Sequence, residues 1–109
     1  MNLKIVPTPE FKKQVKKLAK HYRNIHQDLS LLKTQLNQNP QVGIDLGNNC
    51  YKIRLANSSI PTGKSGGFRI ITYYIDGKGI VRLLYIFSKK DQENISDSEL
   101  QEIIKRTLQ

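Results

Sequence analysis

The chain has 109 residues, enough for one domain with one core, and residues 1–109 are read as a single domain. Eighteen Lys/Arg against nine Asp/Glu give a net charge of +9 and a pI near 9.8, which points to a polyanionic partner: RNA, DNA or an acidic protein. A lone cysteine, Cys50, excludes an internal disulfide, no apolar run approaches the roughly 20 residues of a membrane helix, and the start Met1–Pro7 is too short and polar for a signal peptide; a soluble cytoplasmic protein with no membrane partner is expected.

In chain order, residues 3–6 read as a short strand. Thr8-Pro9-Glu10 is a helix start: Thr8 can cap, Pro9 suits the first helical position, and Glu10 meets the positive end of the helix. Phe11, Val15, Leu18 and Tyr22 then form one apolar stripe, with a solvated run of lysines around it. A second helix from about residue 24 carries Ile25, Leu29, Leu32 and Leu36 and stops at Asn37-Gln38-Asn39-Pro40, so the two stripes predict an antiparallel helix pair. Residues 40–49 read as loop. Strands are expected at 50–56, 68–75 and 80–88, the last two joined by the hairpin signal Asp76-Gly77-Lys78-Gly79. Ser96-Asp97-Ser98-Glu99 is a capping box, with Ile95 and Leu100 as its hydrophobic staple, and opens a helix buried through Leu100, Ile103, Ile104 and Leu108. The order β-α-α-β-β-β-α predicts an α+β fold. Its expected form is an antiparallel β-sheet meander with an N-terminal helical hairpin and a C-terminal helix, the helices covering one face.

Between Cys50 and Lys90 there are eight Lys/Arg and one acid, Asp76. Strand alternation puts Lys52 and Arg54 on one face, opposite Tyr51, Ile53 and Leu55, and puts Arg69 with Ile71 and Tyr73. On the last strand it puts Val81, Leu83, Tyr85 and Phe87 opposite Ile80, Arg82, Leu84 and Ile86. A sheet face bearing Lys52, Arg54 and Arg69, rimmed by Lys64, Lys89 and Lys90, is an anion site; the alternative meaning of such cations is a solvated sheet face. Ser58-Ser59-Ile60-Pro61-Thr62-Gly63-Lys64-Ser65 approaches a phosphate-binding P-loop but has Ser58 where the first glycine belongs, and a strand follows it instead of a helix. His21 and His26 do not share a helix face and no Cys/His pattern surrounds them, so no metal or other cofactor is expected and a paired-histidine ribonuclease is set aside. Cys50 reads as a strand residue, not a nucleophile; Tyr73, Tyr74 and Tyr85 can stack on bases or pack in the core.

These residues resemble the RelE/HigB branch of the RelE/ParE toxin superfamily of bacterial type II toxin–antitoxin systems. The resemblance covers nearly the whole chain and rests on Tyr51-Lys52-Ile53-Arg54-Leu55, on Gly63-Lys64-Ser65-Gly66-Gly67-Phe68-Arg69-Ile70-Ile71, on Leu83-Leu84-Tyr85-Ile86-Phe87-Ser88-Lys89-Lys90-Asp91, and on Asn94-Ile95-Ser96. It implies a RelE-like microbial RNase fold, a partner antitoxin, and metal-independent cleavage of mRNA in the ribosomal A site by attack of a ribose 2′-hydroxyl on the adjacent phosphate. It also implies a catalytic set of Lys52, Arg54, Arg69 and Lys90, with Lys64, Lys89 and Tyr85 binding RNA. Arg69 would stabilise the charged transition state with its planar fork, and Lys52 is a better base than Arg54 because arginine does not deprotonate usefully. Lys90 would stabilise charge or act as acid, and Lys64 would grip phosphate. The chain departs from the family in having Ile95 where well-known members carry a catalytic tyrosine; Tyr85 would replace it only if it faced the site. Two further readings are a ParE-like inhibitor of DNA gyrase and a non-catalytic RNA-binding module.

Overall fold

The computed structural model describes residues 3–61, 66–92 and 94–107. Its elements are β1 (Lys4–Pro7), α1 (Pro9–Ala19), α2 (Ile25–Gln38), β2 (Ile44–Gly47), β3 (Cys50–Leu55), β4 (Phe68–Tyr74), β5 (Ile80–Ser88) and α3 (Asp97–Thr107). They build a five-stranded sheet in the order β1-β5-β4-β3-β2. Strands β2 to β5 form the antiparallel meander, and β1 joins its edge in parallel to β5, with Lys4 opposite Ile80 and Pro7 opposite Leu83. No helix among the described residues is long and apolar enough to cross a membrane.

Local chemistry accounts for most boundaries. The Thr8 hydroxyl accepts the Phe11 N–H at 3.2 Å and donates to the Leu83 carbonyl at 2.8 Å, so one side chain starts α1 and ties it to β5. At α3 the Ser96 Oγ accepts the Glu99 N–H at 3.1 Å and Glu99 returns a carboxylate oxygen to the Ser96 N–H at 3.4 Å, the reciprocal capping box. Gly77 and Gly79 adopt φ of 84° and 70° in the β4–β5 turn, a region closed to most side chains.

Three features differ from the sequence-based expectation. The loop at 40–49 contains a strand, β2, hairpinned to β3 through Asn48 and Asn49, whose φ angles of 54° and 63° fit a tight left-handed turn. The helices do not share one face. Phe68 and Ile70 of β4 pack with Phe11, Ile25 and Leu32 of the helical hairpin, whereas Ile71 packs with Leu100 and Ile103 of α3 on the other side. Strand β4 is thus covered on both faces, and each fully buried Phe or Ile on it contributes about 1.5–3 kcal/mol. Finally, a β-bulge breaks the alternation of β5: Ile71 pairs with Tyr85 and Thr72 with Leu83, leaving Leu84 as the extra residue. Beyond the bulge Tyr85 and Phe87 share the face of Ile71 and Arg69, while Val81, Leu83 and Ile86 face the helical hairpin.

Gly67 enters β4 against β3 so closely that a Cβ there would collide with the Leu55 carbonyl oxygen. Gly67→Ala is expected to lower stability by about 1–3 kcal/mol in urea unfolding, because backbone and not a flexible side chain must move. An unchanged midpoint would show that β3 yields freely at Leu55.

Candidate active site

The β3–β4 register sets Arg54 directly opposite Arg69 and Lys52 opposite Ile71, so three cations lie on the face that α3 only partly covers. Phe87 stands opposite Arg69 on β5, and the row Arg54–Arg69–Phe87 lies beside the row Lys52–Ile71–Tyr85. Directly paired cross-strand cations repel one another, so their strand pairing favours an anion close to them. The three differ in exposure. Arg54 is exposed, Lys52 is half-buried, and Arg69 is only 5 % exposed. Arg69 therefore departs from the solvated sheet arginine of the alternative reading. Its guanidinium donates to the Phe68 carbonyl at 3.3 Å, and burial first, then the neighbouring Arg54, pushes its pKa below the ordinary arginine value.

Lys52 is held from the α3 side: its Nζ donates to Asn94 Oδ1 at 3.2 Å. Lys89 continues the β4–β5 ladder by one residue, donating its N–H to the Gly67 carbonyl at 2.9 Å, and so lies beside Arg69 at the strand ends. Lys90 follows on an exposed turn whose N–H donates to Ser88 Oγ at 3.3 Å; Ser88 is in turn paired with the Tyr22 hydroxyl. Lys64, with Thr62, Gly63 and Ser65 of the near-P-loop stretch, lies outside the described residues.

The bulge at Leu84 corrects the placement of Tyr85, which shares the face of the cations and does not group with Leu83. Its ring lies 6.2 Å from that of Phe87. It borders a cleft of about 370 Å3 with Lys17, Lys20 and His21 of the α1 region, and another of about 330 Å3 with Glu10, Glu99 and Arg106. Burial first, then Glu10 and Glu99, raises the pKa of its phenol, so it is a neutral hydroxyl and not a ready proton donor. Ile95 is half-buried against the α3 side of the sheet and staples the helix with Leu100. Among the described residues no group of three or more His, Cys, Asp or Glu gathers as a metal site would need. The residue missed in the sequence is Asn94; its only signal was its place next to Ile95 at the start of α3, and a contact spanning 42 positions is not written there.

With this geometry in view, the chain matches the family model described as the RelE toxin of the RelE/RelB toxin–antitoxin system over residues 11–108. The protein belongs to the RelE toxin family. Among solved structures it resembles a mutant of the E. coli toxin RelE in the free state, at 18% identity and a TM-score of 0.60 over 97% of this chain and 98% of that one. It also resembles the isolated E. coli RelE toxin, at 19% identity and a TM-score of 0.55 over 95% and 97% of the two chains. At these identities the likeness concerns the fold. Comparison with curated protein sequences returns no significant match. Membership of a RelE family defined by a toxin–antitoxin pair implies a cognate antitoxin for this chain.

Cys50 is fully buried under α3, on the face it shares with Lys52 and Arg54, and burial, aided by Asp45, pushes its thiol up to about 11. At pH 8 roughly one thiol in a thousand would be ionised, so iodoacetamide should label the folded protein negligibly and the urea-unfolded chain readily. The sign of the stability effect follows. Above pH 9, the ordinary value, the unfolded chain releases a proton that the folded chain keeps until about 11, so stability should fall with rising pH across that window and Cys50→Ala should flatten the fall. Fast labelling of the folded protein would place the thiol outside the core.

Proposed function

We propose that this RelE-family protein is a ribosome-dependent mRNA endoribonuclease that inhibits translation in the cytoplasm and is neutralised by its antitoxin. The observation that carries the reading is the directly opposed Arg54–Arg69 pair with Lys52 on the same sheet face, a dense cationic array with one of its arginines buried. A phosphate bridging the two guanidiniums would relieve their repulsion, and a pentacoordinate phosphorane, with more charge on its equatorial oxygens, would relieve it further.

The reaction needs no group beyond side chains and RNA. Lys52, in its neutral form, takes the proton of the 2′-hydroxyl, and O2′ attacks the adjacent phosphorus. Arg69 and Arg54 hold the non-bridging oxygens. The P–O5′ bond breaks as O5′ receives a proton, for which Lys90 at the rim is the candidate, leaving a 2′,3′-cyclic phosphate. Lys89 extends the path of the RNA backbone, Lys64 is a further candidate for phosphate binding by its charge, and Tyr85 offers an aromatic face. A site made of a few cations on a sheet supplies charge but little grip on the ribose, so in-line geometry has to come from mRNA already held by another body. The ribosomal A site meets that need.

The test is primer extension on a defined mRNA translated in a purified system. Wild type should cut within translated codons. Arg69→Ala should lose about 10²–10³-fold in cleavage rate, and Arg69→Lys should recover only part, because it restores charge without the fork. Because Arg69 is buried, each variant's melting temperature is measured alongside. Uncut mRNA during continuing translation, with loss of gyrase supercoiling activity, would replace this reading with that of a gyrase inhibitor.

A further inference from the structure

Among the described residues, Asn94 is the side chain hydrogen-bonded to Lys52, and it reaches it from the segment leading into α3. Its Oδ1 accepts Lys52 Nζ at 3.2 Å and the Ile95 N–H at 2.9 Å, while its backbone carbonyl accepts Gln92 Nε2 at 2.9 Å. The amide oxygen is therefore braced by its own segment before it meets the lysine. The brace is anchored in turn, because Ile95 packs with Ile71 and Leu84 under α3 and Ser96 closes the capping box.

Two physical demands meet at Lys52 if it is the base. Its flexible four-carbon stem shares a strand face with Arg54, and both arginines repel an ammonium toward solvent, so something must hold Nζ beside the site. A carboxylate would hold it most tightly, but would stabilise the charged form and keep the proton on the lysine. A neutral amide oxygen orients Nζ without adding a negative charge. Among the described residues, the titratable groups that share the sheet face of Lys52 are Cys50 and Arg54 on β3, Arg69 on β4 and Tyr85 on β5, and the segment that carries Asn94 leads into Asp97 and Glu99 in the first turn of α3.

We propose that Asn94 is a positioning residue for the cleavage reaction: its amide oxygen fixes Lys52 Nζ beside the arginine pair without adding a negative charge, so that the docking of α3 sets the geometry of the base. This rests on the ribonuclease reading above. The experiment compares wild type, Lys52→Ala, Asn94→Ala and Asn94→Asp for mRNA cleavage in the translating system between pH 6 and 9.5. Melting temperatures are taken for all four, and the Lys52 Cε resonance of the full-length protein is titrated by NMR. Asn94→Ala should lose on the order of tenfold in rate across the range with an unchanged melting temperature. Asn94→Asp should keep the contact yet move both the rate profile and the Cε titration to higher pH. If wild type cuts and Lys52→Ala does not, while Asn94→Ala cuts at the wild-type rate or Asn94→Asp titrates as wild type does, the inference is overturned and the ribonuclease reading stands. If wild type cuts nothing, both are overturned, whatever the titration shows.

Discussion

The double burial of β4 is the constraint on which the rest depends. Phe68 and Ile70 belong to the helical hairpin and Ile71 to α3, so the strand cannot slip by one residue without exchanging its two faces. Such a slip would drive Arg69 into the core beneath α1 and α2 and expose Phe68. Apolar packing on both sides therefore fixes Arg69 directly opposite a second arginine. The close approach of Gly67 to Leu55 works in the same direction, since only a residue without a side chain lets β4 enter at this register.

The bulge at Leu84 solves a second problem. Strand β5 has to feed Val81, Leu83 and Ile86 to the helical hairpin and also turn aromatic side chains toward the cation face. Regular alternation would leave Tyr85 on the hairpin side with Leu83. One extra residue shifts the phase, so Tyr85 and Phe87 line up with Ile71 and Arg69 while the hairpin core stays filled. Bulges near sites re-aim side chains in this way at the expense of a local break in the ladder.

Electrostatically the site is a gradient. Arg69 is buried, Lys52 is half-buried and clasped by Asn94, and Arg54 and Lys90 are exposed. On the proposed ribonuclease reading, a bound phosphate would ease the repulsion between Arg54 and Arg69, and a site without a deep pocket would favour a highly charged transition state. The α3 helix serves both ends of this arrangement: its apolar face covers Ile71 and Cys50, and its leading segment holds the lysine. Its far end adds a surface pair, Glu10 with Arg106 at 3.6 Å, where exposure leaves little energy to gain.

The local features were legible. The Thr8-Pro9 start, the Ser96 capping box, the Asp76–Gly79 turn, the two helical stripes and the shared face of Lys52 and Arg54 depend on neighbours within a few positions, and short-range geometry determines them. The resemblance of the cationic segments to RelE toxins was carried by the same kind of local pattern. Strand β2 was signalled by the alternation Ile44-Asp45-Leu46 and the Asn48-Asn49 turn, but three residues between Gly43 and Gly47 read equally well as loop. Other features had no local signature. Leu83 to Phe87 is an unbroken apolar run, in which a one-residue bulge leaves no trace because either phase buries something acceptable. The burial of Arg69, the side of the sheet that α3 covers and the reach of Lys52 to Asn94 arise from elements far apart in the chain. The sequence by itself determined which segments form and which cations share a strand; only packing on both faces of β4 decided which of those cations is buried, which is exposed and which is held.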